Sequence, residues 1–165
     1  MPRLIARLRA DESGATAVEF ALVALPFFGL LFGIVQTSLV MFAGQVLQTM
    51  VADVSRKIMT GQLANKTKAD FKAALCASPS MVMFDCNKLL VQVQSFADFS
   101  VADPDTFVNP DCFNPLKADK AACYNPGVAS QVVIVRVSYE WPFGVSILDD
   151  KNTLVAVSAF RSEPY

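Results

Sequence analysis

The sequence predicts an α+β fold in which a long N-terminal helix packs on a small, disulfide-stapled antiparallel sheet domain. Three observations predict it. An apolar run from Ala15 to Val35 passes without a stop signal into an amphipathic stripe that lasts to Ile58. Three β-branched, strand-like segments occur, all of them late in the chain. Four cysteines, at 76, 86, 112 and 123, lie beyond the apolar run.

The totals bound what such a chain can do. Its 165 residues suffice for one compact domain and a membrane element. The hydrophobic fraction is 53% and the mean hydropathy +0.40, an excess that comes largely from Ala15 to Val51. A net charge of −1 leaves no basic surface for a nucleic-acid backbone. The absence of histidine removes Ser-His-Asp and Cys-His catalysis and the commonest general base at neutral pH. Glycine-rich phosphate loops, nucleophile elbows and dinucleotide fingerprints are also missing. No catalytic residue, cofactor or metal is therefore assigned.

In chain order, the tail Met1–Ser13 sets Arg3, Arg7 and Arg9 against Asp11 and Glu12. The next basic residues, Arg56 and Lys57, come well after the apolar run, so the tail is expected on the cytoplasmic side. Ala15–Val35 is long enough to span about 30 Å of hydrocarbon. A signal peptide is the rival reading. Its cleavage site would follow the apolar core, where only Phe42-Ala43-Gly44 is available, whereas Ala15-Thr16-Ala17 lies on the wrong side. A retained segment is favoured. Pro26 removes a helical hydrogen bond and is expected to bend or loosen the helix. Gly29 and Gly33 form a small-xxx-small pair that lets another helix approach, although glycine is also simply common in membrane helices.

From Gln36 the helix changes character. Leu39, Ala43, Val46 or Leu47, Met50, Val54 and Ile58 recur at three- and four-residue steps, with Gln45, Gln48, Asp53 and Arg56 between them. Gly61 is a plausible stop. A helix from Ala15 to about Thr60 would be roughly 65–70 Å long. Residues of about 15–38 would lie in lipid and about 39–60 on the soluble domain, with 61–165 forming that domain.

Thr67-Lys68-Ala69-Asp70 resembles a capping box and opens a second helix through Phe71, Ala74 and Leu75, ending before Pro79. Leu89–Phe96 alternates from Val91 on, with Val91 and Val93 on one face and Gln92 and Gln94 on the other. Val132–Tyr139 reads as a central strand and Leu154–Phe160 as the third, with the apolar face of the sheet against the long helix. Tyr139 and Trp141 read as core or interface packing. The connection 97–127 is long for a compact domain and rich in Asx-Pro pairs.

Four cysteines allow three pairings. The spacing suggests local staples Cys76–Cys86 and Cys112–Cys123, each contributing roughly 2–3 kcal/mol in the chain-entropy picture. Free thiols are the alternative, and zinc is a third option weakened by the lack of a CxxC pair. Disulfides would place this part of the chain in an oxidising compartment. Asp103, Asp105, Asn109 and Asp111 invite a calcium reading, but Phe107 breaks the EF-hand pattern and turn residues beside prolines explain them better. Asp149-Asp150-Lys151-Asn152 reads as a hairpin turn.

Glu19 is the residue that asks for a reason, because a carboxylate at the edge of hydrocarbon is costly. It is either an interfacial charge among headgroups or one half of an ion pair. If the chain were cut after Gly14, the new α-amine of Ala15 would lie one turn from Glu19, and in a packed array it could neutralise Glu19 of a neighbour. A basic leader ending in glycine, then Ala15-Thr16-Ala17-Val18-Glu19-Phe20 opening an apolar helix, resembles a type IV prepilin processing site. The continuation through Pro26 and Gly33, and the ending Phe160-Arg161-Ser162-Glu163-Pro164-Tyr165, resemble the TadE/TadG-like pseudopilins of tight-adherence (Flp/Tad) pilus systems.

The resemblance implies a cytoplasmic leader, 1–14, removed by a prepilin peptidase between Gly14 and Ala15, with Glu19 and Phe20 serving assembly. It implies an inner-membrane, single-pass protein with a periplasmic C-terminal domain, or one incorporated in the extracellular pilus. Its partners would be the major Flp pilin, other minor pilins, the inner-membrane pilus platform and membrane lipid. Arg161, Glu163, Pro164 and Tyr165 would form a C-terminal motif with contacts at the base of the domain. The rivals are an uncleaved, single-pass ligand-binding or scaffold protein using the 97–127 loop, and a secreted enzyme resting only on its carboxylates.

Overall fold

The computed structural model describes residues 14–63, 65–102, 108–114, 123–142 and 153–164. Residues 1–13 of the leader, the Asp103–Phe107 part of the acidic cluster, Asp149–Asn152 and Tyr165 lie outside the described residues. The chain divides into two units, Met1–Leu39 and Val40–Tyr165. Helix α1, Ala15–Met59, contributes to both.

In the first unit α1 is helical from Ala15 and continues through Pro26. It is long and apolar enough to cross a membrane, and none of its most apolar 18-residue window is buried among the described residues. Phe20, Leu22, Leu25, Leu30 and Phe32 are all exposed. Thr37 and Ser38 donate their hydroxyls to the carbonyls of Gly33 and Ile34, at 2.9 and 2.8 Å. Such back-bonding satisfies a hydroxyl without water, which suits an apolar surrounding.

The second unit holds the core. Along α1, Ala43, Leu47, Met50, Val51, Val54 and Ile58 are buried, a stripe at three- and four-residue steps. Three details differ from the expected stripe. Leu39 is exposed, and Val51 and Ser55 are buried beside Met50 and Val54, so the inward face takes four positions in two turns, Met50, Val51, Val54 and Ser55. α1 stops where Gly61 adopts φ 76°, a left-handed position that costs glycine little.

Helix α2, Lys68–Cys76, starts at a full capping box. The Asp70 N–H donates to the Thr67 hydroxyl, and the Thr67 N–H donates to the Asp70 carboxylate. Phe71 and Leu75 point into the core, and Cys76 is bridged to Cys86.

The strands β1 (Leu89–Phe96), β2 (Val132–Glu140) and β3 (Thr153–Arg161) form an antiparallel sheet in the order β1-β2-β3. In register, Val91 faces Val137 and Val137 faces Ala156, while Val93 faces Val135. These residues and the α1 stripe make one continuous core. At one end of the sheet Phe84, Tyr139 and Trp141 pack edge to face, with centroids 5.0–6.4 Å apart. The Tyr139 hydroxyl accepts the Asp85 N–H at 3.2 Å.

The alternation in β1 predicts a solvent-facing Gln92, but Gln92 is fully buried. Its side of the sheet is covered by the long connection. The turn Pro110–Phe113 lies against β1, the Arg136 guanidinium opposite Gln92 sits 5.1 Å from the centre of the Phe113 ring, and Cys112 is bridged to Cys123 with both residues fully buried. The free edge of β1 is also met by this connection. Tyr124 forms a parallel bridge to Val93, and the Asn125 N–H donates to the Val93 carbonyl at 2.8 Å.

Candidate functional site

The site begins at Gly14, an exposed residue immediately before α1, and Ala15, the first residue of the helix. Glu19 follows four residues later, so the start of the helix and the carboxylate share one face. The first four N–H groups of a helix are the ones that welcome a carboxylate. Glu19 lies past them, and α1 carries no acidic residue in its first turn. The helix therefore gives Glu19 little of the compensation that a capping carboxylate enjoys.

The helix surface around this face is open. Phe20, about 100° further round the helix than Glu19, is 70% exposed. A Cβ placed on Gly29 or on Gly33 would meet nothing within 4 Å, so no other part of the described chain uses the flat surface that these two glycines create. Pro26 sits between Glu19 and the glycines without ending the helix.

The C-terminal motif falls in the other unit. The Arg161 guanidinium donates through Nε to the Ser130 carbonyl at 2.9 Å. The Ser162 N–H donates to the Gln131 carbonyl at 2.8 Å, the Ser130 N–H to the Ser162 carbonyl at 3.2 Å, and the Glu163 N–H to the Met59 carbonyl at 3.0 Å. Ser162 is buried and Pro164 is exposed. The motif thus ties the turn before β2 and the end of α1 to the end of β3.

One residue with a specific job escaped the sequence reading. Gln48 donates through Nε2 to the Val157 carbonyl at 2.7 Å, and its Oε1 accepts the Val157 N–H at 3.1 Å. Nothing in the pattern separates it from its solvent-facing neighbour Gln45.

Residues 14–56 match the TadE-like protein family. No curated protein and no solved structure matches the chain. The TadE-like match starts at Gly14, takes in Glu19, Phe20, Pro26, Gly29, Gly33 and Gln48, and stops three residues before α1 ends. The TadE-like family is a structural pilus component and is not known as an enzyme family. The apolar helix inside it fits a membrane anchor.

Proposed function

We propose that this chain is a pseudopilin, a pilin-like structural and assembly subunit of a Tad/Flp pilus acting in pilus biogenesis and surface adherence. The observation that carries the reading is the TadE-like match starting at Gly14, with Glu19 one turn into a helix whose apolar surface the protein leaves open. In this reading a prepilin peptidase cuts between Gly14 and Ala15 at the cytoplasmic face. The new amine of one subunit then neutralises Glu19 of the next among packed helices, and Gly29 and Gly33 allow the close approach.

An ion pair in such surroundings fixes register more than it adds stability, and removing one partner strands a charge at a cost of roughly 3–5 kcal/mol. The major Flp pilin, other minor pilins, the inner-membrane platform and lipid are the partners, and residues 61–165 stand on the periplasmic side. Glu19→Ala tests this in piliated cells. The expected result is loss of pili and adherence with the disulfide-bonded domain still folded; undiminished piliation would leave the uncleaved single-pass reading. Intact mass of the extracted protein is expected to begin at Ala15, and an N-terminus at Met1 in cells with active peptidase would overturn processing.

A further inference from the structure

Two contacts set the direction of α1 on the sheet. Gln48 bonds to the backbone of Val157, and the Met59 carbonyl accepts the Glu163 N–H. Between these contacts the helix rises about 16 Å and the strand about 20 Å, so α1 and β3 run the same way and nearly in step. Leu154 pairs with Tyr139 about 10 Å back along β3 from Val157. The same distance back along α1 from Gln48 comes close to Phe42. Phe84 packs on Tyr139 and Trp141 at this end of the sheet, and the short 3-10 turn Pro79–Met83 leads directly into Phe84. The Cys76–Cys86 bridge closes the loop that carries the turn.

This end of the second unit turns apolar side chains outward. Met41 and Phe42 are exposed on α1, and Val82, in the turn, is 94% exposed. No other large apolar side chain among the described residues is so bare. Between Glu19 and Asp53 the chain carries no charge. With Glu19 at one boundary, about 30 Å of hydrocarbon takes about 20 residues of helix and ends near Leu39. The headgroup layer beyond it, about 5–7 Å deep, then holds residues 40–44, the part of α1 level with the turn.

We infer that the turn Pro79–Met83 rests in the lipid headgroup layer, with Val82 as the inserted side chain. A bilayer of ordinary thickness reaches this level of the second unit, which names lipid as the occupant. One helix alone leaves a domain free to turn about that helix's axis. A second contact off the axis fixes which face the domain presents. The inference rests on α1 being a membrane anchor, and it is independent of cleavage after Gly14 and of pilus assembly.

Lipid quenching of a site-specific fluorophore tests it, with the full chain in vesicles of phosphatidylethanolamine and phosphatidylglycerol. All four cysteines are bridged, so Val82→Cys adds a single thiol for an environment-sensitive dye, on a residue whose side chain the fold does not need. Val128→Cys is the control in the domain. Val128 is 64% exposed, in a turn that bonds to Ser162 at the far end of β3, about 25 Å beyond Leu154. Phe32→Cys is the control in the apolar run. Lipid carrying a nitroxide near its headgroup or along its chain is expected to extinguish most of the emission at 82 and at 32, and none at 128. Quenching at 32 with none at 82, or equal quenching at 82 and 128, would overturn the inference and leave the anchor standing. No quenching at 32 would remove the anchor and the inference with it.

Discussion

The backbone N–H of Glu163 donates to the carbonyl of Met59, the last residue of α1, at 3.0 Å. The last carbonyls of a helix have no partner within it, so the end of the chain supplies one from outside. The bond uses the backbone and not the carboxylate. Glu163→Ala is therefore expected to change stability by less than about 0.5 kcal/mol, as an exposed substitution away from special features does. Glu163→Pro removes the donor and is expected to cost about 0.5–1.5 kcal/mol, the net contribution of one hydrogen bond to a carbonyl on a half-buried residue. Denaturant midpoints of the two variants check the contrast, and equal midpoints would show that Met59 has no need of this bond.

Gly127 meets Ser95 across the turn that leads into β2. It has φ 72°, and a Cβ built on it would stand 2.5 Å from the Ser95 Cβ. An alanine would suffer both the left-handed backbone and the clash, at an expected cost of about 2–4 kcal/mol. Gly44 is the control. It lies inside α1 with open space around its missing Cβ, so Gly44→Ala is expected to stabilise by about 0.5–1 kcal/mol through helix propensity alone. Thermal unfolding of both variants separates a required glycine from a tolerated one.

The hydrogen bonds from the Thr67 backbone and then from its hydroxyl hold the Asp70 carboxyl below its usual range. The folded protein therefore keeps this group ionised at a pH where the unfolded chain has protonated it. The contribution is fully present above the ordinary carboxylate pKa of about 3.9 and disappears as pH falls through the lower folded value. Asp70→Asn is expected to flatten this part of the acid limb, which stability measured from pH 6 down to pH 2 would reveal. An unchanged acid limb would mean that the capping box opens in solution.

Much of this fold was legible because its signals are local. Val132–Tyr139 is apolar and β-branched enough to have no competing reading, Thr67 and Asp70 sit at the one spacing that lets each cap the other, and the cysteines pair over separations of 10 and 11 residues. Glu19 drew notice because lipid would make a carboxylate expensive, and Gly14 only through its place in the prepilin-like motif. The misses are tertiary. Gln92 obeys the strand alternation, and only the arrival of the Pro110–Phe113 turn buries it. Gln48 acquires its role from Val157, 109 residues later, which no helical periodicity can announce.

Tyr124 shows the opposite titration to Asp70. Its ring packs on Phe71, with centroids 6.1 Å apart, and its hydroxyl is buried without a hydrogen-bond partner among the described residues. Burial, helped by the charge of Asp70, pushes the hydroxyl up to about 12. An unfolded tyrosine ionises near pH 10, so between about pH 10 and pH 12 the folded chain holds a proton that the unfolded chain has lost. Stability from this source is complete below about pH 10 and falls as pH rises toward the folded value. Tyr124→Phe deletes the proton and with it this alkaline loss. At neutral pH it also removes a buried hydroxyl that bonds to none of the described residues, so it is expected to be neutral or to stabilise by up to about 1 kcal/mol. Urea midpoints at pH 7 and pH 10.5 check both halves. A loss of more than about 1 kcal/mol at pH 7 would mean that the hydroxyl makes a hydrogen bond in solution, and the alkaline argument would go with it.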